Sequence, residues 1–161
     1  MTISPGQKLP DASFLVISPE GPAEVSSKDV FSGRKVVAFA VPGAYTPTCS
    51  LEHVPSFVKA AEAIAAKGVD EIVCISVNDP FVLAAWADAT GASSAGIRML
   101  ADPAGAFAKA MGLTFDAAPA GLYGRSQRYS MLVEDEVVSK LNVEPARECS
   151  ISGGEAILDQ L

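Results

Sequence analysis

Short, nearly unbroken apolar runs alternate along this chain with longer stretches whose apolar positions recur every three or four residues. Lys35-Val36-Val37-Ala38-Phe39-Ala40-Val41 and Glu71-Ile72-Val73-Cys74-Ile75-Ser76-Val77 are of the first kind. Their length and continuity predict strands covered on both faces. After the first, Leu51, Val54, Phe57 and Val58 follow a helical period. They predict a helix from about Thr48 to Lys67, closed by Gly68 and kinked at Pro55. After the second, Asn78-Asp79-Pro80 opens a helix to about Thr90 that Gly91 ends. Arg98–Ala101 reads as a short strand. Asp102 is expected to cap a helix from Pro103 to Met111, stopped by Gly112.

The flanks are less regular. Ser13–Ile17 predicts an early strand, Pro19-Glu20-Gly21-Pro22 a turn, and Ser27–Phe31 a short helix. A Gly/Pro-rich loop is expected over about Thr114–Gly124. Arg128–Val133 and Val137–Val143 then form a hairpin about Asp135-Glu136, and a last helix runs from about Gly154 to Leu161. Two successive strand–helix–strand units require parallel strands covered by helices, and a closing hairpin makes the sheet mixed. The expectation is an α/β chain of thioredoxin-like fold, a mixed central sheet flanked by helices, forming a single domain over 1–161. A doubly wound sheet is the weaker alternative, because the last two strands pair with no helix between them.

Composition narrows the function. The chain carries 12 Lys and Arg against 19 Asp and Glu, a formal charge of −7, with no basic cluster. Nucleic acid is therefore not an expected partner. No apolar run approaches the ~20 residues that span a bilayer, so no membrane partner is expected. The first residues have neither the basic nor the apolar region of a signal peptide. Three cysteines, Cys49, Cys74 and Cys149, do not make the framework of a secreted disulfide-rich domain. They fit a reducing compartment, and the expected location is cytoplasmic.

Cys49 has the most informative surroundings. Pro42 and Gly43 break the preceding strand, and Pro47 presets φ for a first helical turn. Cys49 then falls in that opening turn, where unpaired N–H groups and the helix dipole favour an anion and hence the thiolate. Thr46 and Cys49 form Thr-x-x-Cys. The hydroxyl can donate to the sulfur or to a polar ligand beside it, or serve as an N-cap. Arg128 opens a strand otherwise made of apolar and small residues. It points either to solvent or inward, and inward it requires an anion such as the Cys49 thiolate. Arg125, in the loop, is a weaker candidate for the same part.

The segment Val41-Pro-Gly-Ala-Tyr-Thr-Pro-Thr-Cys49-Ser-Leu-Glu-His53-Val-Pro55 resembles the active-site stretch of peroxiredoxins of the type II, or peroxiredoxin-5-like, branch. The likeness continues through Cys74–Phe81, Leu100-Ala-Asp102, Arg125–Leu132 and Asn142-Val-Glu-Pro145, and so covers most of the chain in order. The resemblance implies a thiol peroxidase acting on hydrogen peroxide and organic hydroperoxides, with no cofactor and no metal. It makes Cys49 the peroxidatic cysteine, oxidised to a sulfenic acid. Thr46 would orient thiolate and peroxide, Arg128 would favour the thiolate and stabilise the departing oxygen, and Pro42 would shield the pocket. Cys149 lies in a segment that resembles the one holding the resolving cysteine of atypical two-cysteine members, with a slightly different spacing to the C-terminus, and is otherwise incidental. Cys74 stands where some plant-type members carry a disulfide-forming cysteine, and is otherwise a buried core residue. Glutaredoxin, glutathione or thioredoxin is the implied reductant. A homodimer is implied as well, with Tyr45, Phe81 and Phe115 near the rim of the site.

Other chemistries fit less well. His53 follows Cys49 by one helical turn, but a nucleophile and base on one helix converge poorly on a carbonyl, and no third orienting residue is evident. The resemblance gives His53 a supporting place instead. The short paired spacings of structural zinc sites and the glycine-rich loops of nucleotide sites are missing. A redox sensor or chaperone module without efficient turnover is the alternative from a different class. A dithiol oxidoreductase is disfavoured by threonine at position 46, where its partner cysteine would stand.

Overall fold

Along the strand Lys35–Val41, alternate side chains go to opposite faces and divide the core in two. This is a computed structural model, and it describes residues 2–145 and 149–161. The strands are β1 (Ser13–Ser18), β2 (Gly21–Ser26), β3 (Lys35–Val41), β4 (Glu71–Ser76), β5 (Arg98–Ala101), β6 (Thr114–Ala117), β7 (Leu122–Ser126), β8 (Tyr129–Glu134) and β9 (Val137–Val143). The helices are α1 (Ser27–Phe31), α2 (Val54–Ala66), α3 (Pro80–Thr90), α4 (Ala106–Met111) and α5 (Gly154–Leu158).

Seven strands form one sheet in the order β2-β1-β5-β4-β3-β8-β9, and β6 and β7 form a separate hairpin. β3, β4 and β5 are parallel, while β8 runs antiparallel to β3 and β1 antiparallel to β5. The sheet is thus mixed and helix-covered, the thioredoxin-like arrangement expected from the strand order. Val37, Phe39 and Val41 join Cys74 and Leu132 in a cluster with Phe57, Ile64, Leu83, Trp86 and Ile157 from α2, α3 and α5. Val36, Ala38 and Ala40 face the other way, with Val73, Ile75, Met131, Phe31, Phe107 and Met111.

Four boundaries differ from the sequence expectation, each for a local reason. Gly21–Ser26 continues from the Pro19–Pro22 turn as β2, pairing with β1 from Ser18↔Gly21 to Ser13↔Ser26. It is an edge strand, where Pro22 costs no ladder bond. The loop over 114–124 is largely the β6–β7 hairpin, with a single 3₁₀ turn at Ala118–Ala120. Asp102 does cap α4, accepting from the N–H groups of Phe107 (3.1 Å) and Ala108 (3.0 Å), but the helix begins only after Gly105, which takes φ 72°. The last helix ends at Leu158, short of the expected Leu161.

A fifth difference lies beside the candidate thiol. The stretch Thr48–Lys67 is not one α-helix: Cys49–His53 is a π-turn in which the Val54 N–H reaches the Cys49 carbonyl. Pro55 supplies a reason. It has no N–H, and its ring would clash with the carbonyl four residues back in a regular helix. A widened turn ahead of it relieves both problems.

Candidate active site

The sheet register brings the site together. Ala40 pairs with Tyr129 across the β3–β8 ladder, so Arg128 falls beside the end of β3, where the chain turns away toward Cys49. The guanidinium is buried, with Nη2 donating to the Cys49 sulfur at 3.2 Å. The two residues are 79 positions apart in sequence. The inward orientation of Arg128 is therefore the one found, with a thiol as its partner.

Arg128 is held in turn. Its Nη1 donates to Nδ1 of His53 at 3.0 Å, and His53 Nε2 lies 2.9 Å from the Ser152 carbonyl oxygen. An arginine can only donate, so Nδ1 is the acceptor and Nε2 carries the proton given to Ser152. Burial, with the adjacent guanidinium, lowers the His53 pKa to about 3, which keeps the ring neutral. The ring also packs on Phe39 and Phe57, centroids 4.9 and 5.6 Å away, while those two phenylalanines stack at 4.0 Å. Both His53 nitrogens are committed elsewhere, so Cys49 and His53 do not form a nucleophile–base pair. The π-turn sets both residues toward Arg128.

Thr46 differs from expectation. Its hydroxyl donates to the Gly43 carbonyl at 2.8 Å, neither to the sulfur nor as an acceptor for a helix N–H. Its carbonyl accepts from the Ser50 N–H instead. With its proton engaged, the Thr46 oxygen is left as an acceptor. Pro42 is buried at the end of β3, and its carbonyl accepts from Nη1 of Arg125 at 3.3 Å. Arg125 thus braces the loop and leaves the sulfur to Arg128. Asn78, which sequence reading passed over as part of a helix start, accepts from the Ala44 N–H at 3.0 Å and from the Ser76 hydroxyl.

All three cysteines are free thiols. Cys74 is fully buried in β4 opposite Phe39, and burial, reinforced by Cys49, raises its pKa well above the ordinary thiol value. Cys149 is half-buried at a cleft it shares with Glu52, Ser56 and Gly153. Burial raises its pKa as well; Arg128 opposes the shift and Glu144 adds to it. The sequence stretch around Cys149 runs through Ala146, Arg147 and Glu148, which lie outside the described residues.

Two contributors were missed altogether. Glu144 is a buried acid, and Ser152 contributes a backbone carbonyl. A backbone acceptor leaves no trace in a sequence. Glu144 left only a faint one: an acid just past a strand, followed by the small polar residues Ser150 and Ser152.

A buried thiol under a buried arginine, at the end of the central strand of a thioredoxin-type sheet, defines the class of cysteine-based redox proteins. Comparison with known proteins narrows the class. Residues 4–158 match the Redoxin family. The chain is 42% identical to peroxiredoxin-2C of Oryza sativa subsp. japonica over 99% of its own length and 98% of the relative's. Reduced Prx3 of Vibrio vulnificus in complex with H2O2 superposes with a TM-score of 0.93 at 43% identity, over 99% of this chain and 96% of that one. Peroxiredoxin 5 of Alvinella pompejana gives 0.84 at 35% identity, over 97% and 96%. The chain belongs to the redoxin family and is a peroxiredoxin, similar to the plant type II and peroxiredoxin-5 proteins. It is accordingly a thiol-dependent peroxidase.

Proposed function

We propose that Cys49 is the peroxidatic cysteine and that hydrogen peroxide and small organic hydroperoxides are its substrates. The observation that carries this reading is the 3.2 Å contact from Arg128 Nη2 to the Cys49 sulfur. A charge-assisted bond of that kind favours the thiolate over the thiol. The Vibrio relative is described with H2O2 bound, which supports the same substrate here.

The chemistry is a two-electron displacement. The thiolate attacks one peroxide oxygen, the S–O bond forms as the O–O bond breaks, and the departing oxygen leaves as water or alcohol after taking a proton. Cys49 becomes a sulfenic acid. A thiolate held by a charged donor is a weaker nucleophile than a free one, so stabilisation of the departing oxygen must supply much of the rate. Arg128 has the means. Its Nη groups are engaged by His53 and Cys49, while its buried Nε has no partner among the described residues. An unpaired buried donor costs about 1–3 kcal/mol, and a peroxide oxygen would satisfy it. The Thr46 oxygen can accept the proton of the bound peroxide, and Pro42 closes the loop over the thiol.

A thiol then attacks the sulfenic sulfur, expelling water and forming a disulfide, and a second thiol reduces that disulfide. Cys149 is our candidate for the first thiol, with Cys74 less favoured because it is fixed in the sheet. Glutathione with glutaredoxin, or thioredoxin, completes the cycle. Three cysteines and none of them paired support a reducing compartment, the cytoplasm. Tyr45 and Leu51 are exposed on either side of Cys49 in the chain, and Phe81 is exposed at the start of α3, which supports a homodimer through exposed aromatic and apolar groups.

One equivalent of peroxide followed by peptide mass spectrometry tests the assignment. The expected product is a Cys49–Cys149 disulfide in the wild type, and Cys49→Ser is expected to lose turnover. Full activity in Cys49→Ser would falsify the proposal.

A further inference from the structure

Glu144 has no part in the chemistry above, yet it is among the most heavily hydrogen-bonded side chains in the structure. It is 5% exposed. Its Oε2 accepts from the N–H groups of Ser150 (2.8 Å), Ile151 (2.9 Å) and Ser152 (2.8 Å) and from the Ser152 hydroxyl (2.7 Å). Its Oε1 accepts from the Ser150 hydroxyl at 2.9 Å. Five donors from three successive residues thus converge on one carboxylate. The Glu144 N–H meanwhile donates to the Arg128 carbonyl at 2.9 Å, so the clamp is anchored to the catalytic arginine's own backbone.

The clamped segment ends at a group the site depends on. The Ser152 carbonyl accepts from His53 Nε2–H, His53 Nδ1 accepts from Arg128, and Arg128 donates to Cys49. Each link sets the next. Only a histidine protonated on Nε2 presents a lone pair at Nδ1, and only that lone pair fixes the guanidinium roll that aims Nη2 at the sulfur. Among the described residues the Ser152 carbonyl is the only partner of Nε2. Its position is set by the N–H and hydroxyl of the same residue, both bonded to Glu144. Resting on the assignment of Cys49 and Arg128 above, we infer that Glu144 is a positioning residue for the peroxidase reaction, acting through Ser152 and His53 to aim Arg128 at the Cys49 sulfur.

The charge state fits this part. Burial on its own would raise the Glu144 pKa, but the Ser152, Ile151 and Ser150 donors outweigh it and hold the group below the usual carboxylate range. Glu144 is therefore an anion throughout the neutral range, and an anion binds three N–H groups better than a neutral acceptor does.

The test compares Glu144→Ala, Glu144→Gln and Glu144→Asp with wild type. Glu144→Ala is expected to lower kcat/KM for peroxide about 10- to 100-fold, the usual consequence of displacing a reacting group by about 1 Å. In this variant nitrogen NMR is expected to show His53 losing its single Nε2-protonated form. Glu144→Gln keeps the shape and one acceptor oxygen, and is expected to restore kcat/KM to within about threefold of wild type. Glu144→Asp keeps the charge but is one methylene short, and should behave like the alanine variant. Nitrogen NMR of wild-type His53 is expected to show the proton on Nε2.

Cys49→Ser and Arg128→Ala, run alongside, report on the underlying assignment independently of Glu144. Glu71→Gln, at a surface ion-pair cluster with Arg34 and Arg98, controls for a general loss of stability. A folded Glu144→Ala enzyme with wild-type kcat/KM and the wild-type His53 tautomer overturns the inference. If that variant does not fold, wild-type behaviour in Glu144→Asp overturns it, as does a His53 proton found on Nδ1.

Discussion

At the residue scale, the site turns on how two buried polar groups keep opposite charge states. His53 is neutral because burial and Arg128 both oppose its protonation, bringing its pKa to about 3 from an ordinary value of 6.5. The unfolded chain takes up a proton near pH 6.5 that the folded chain refuses until about pH 3. Between those limits the unfolded state binds more protons, so stability falls as pH falls. The slope from this one group is about 1.4 kcal/mol per pH unit. Urea unfolding across pH 6.5 to 4 checks this, and His53→Gln should flatten the dependence. Arg128 is as constrained. Lysine would carry the charge without the fork that serves His53 and Cys49 together. Arg128→Lys is therefore expected to lose about 10²- to 10³-fold in kcat/KM for peroxide, measured under limiting peroxide. The arginine, though not its direction, and the thiol in a helix's opening turn could be read from the chain. The donor chain through His53 could not, because it runs through a backbone carbonyl.

At the element scale, the π-turn and α5 decide the geometry. Pro55 holds the π-turn by denying the chain a regular helical bond, so Pro55→Ala offers Cys49–His53 a competing α-helical register. Peroxide kcat/KM is expected to fall about tenfold with little loss in melting temperature; equal activity would show that the turn does not depend on the proline. α5 packs on α2 at Gly154, where a Cβ would collide with the Ser56 carbonyl, and the Gly154 N–H donates to the Ser56 hydroxyl at 3.0 Å. Gly154→Ala is expected to cost about 1–3 kcal/mol, read as a lower denaturation midpoint. The segment 149–152 precedes α5, so its seating and that of the helix are linked.

At the scale of the whole molecule, the sheet order sets Arg128, just before β8, beside the end of β3. β4 brings Cys74 opposite Phe39 of β3, and the chain just after β9 brings Glu144 to the Arg128 carbonyl. The same end of the molecule exposes Tyr45, at 58% and with φ 65°, together with Leu51 at 76%. A non-glycine residue in the left-handed region costs about 1–2 kcal/mol, and the ring it displays lies 6.4 Å from that of Trp86. We expect this face to pair with a second copy. Sedimentation equilibrium should give twice the chain mass, and Tyr45→Glu should shift the population toward monomer.

The chain by itself determined the strand–helix alternation, the mixed sheet and the candidate nucleophile. Each of these is written in local signals: apolar period, glycine and proline punctuation, and the residues around one cysteine. It also supplied the arginine, though not the direction that arginine faces. Tertiary structure alone decided that direction, through an antiparallel register joining residues 79 positions apart. It likewise turned the expected helix start into a π-turn and committed the Thr46 proton to Gly43. It assembled the Glu144–Ser152–His53 support from a carboxylate, a peptide carbonyl and a ring nitrogen. Those groups gain meaning only from the directions their hydrogen bonds take in space, and direction is what a one-dimensional pattern does not carry.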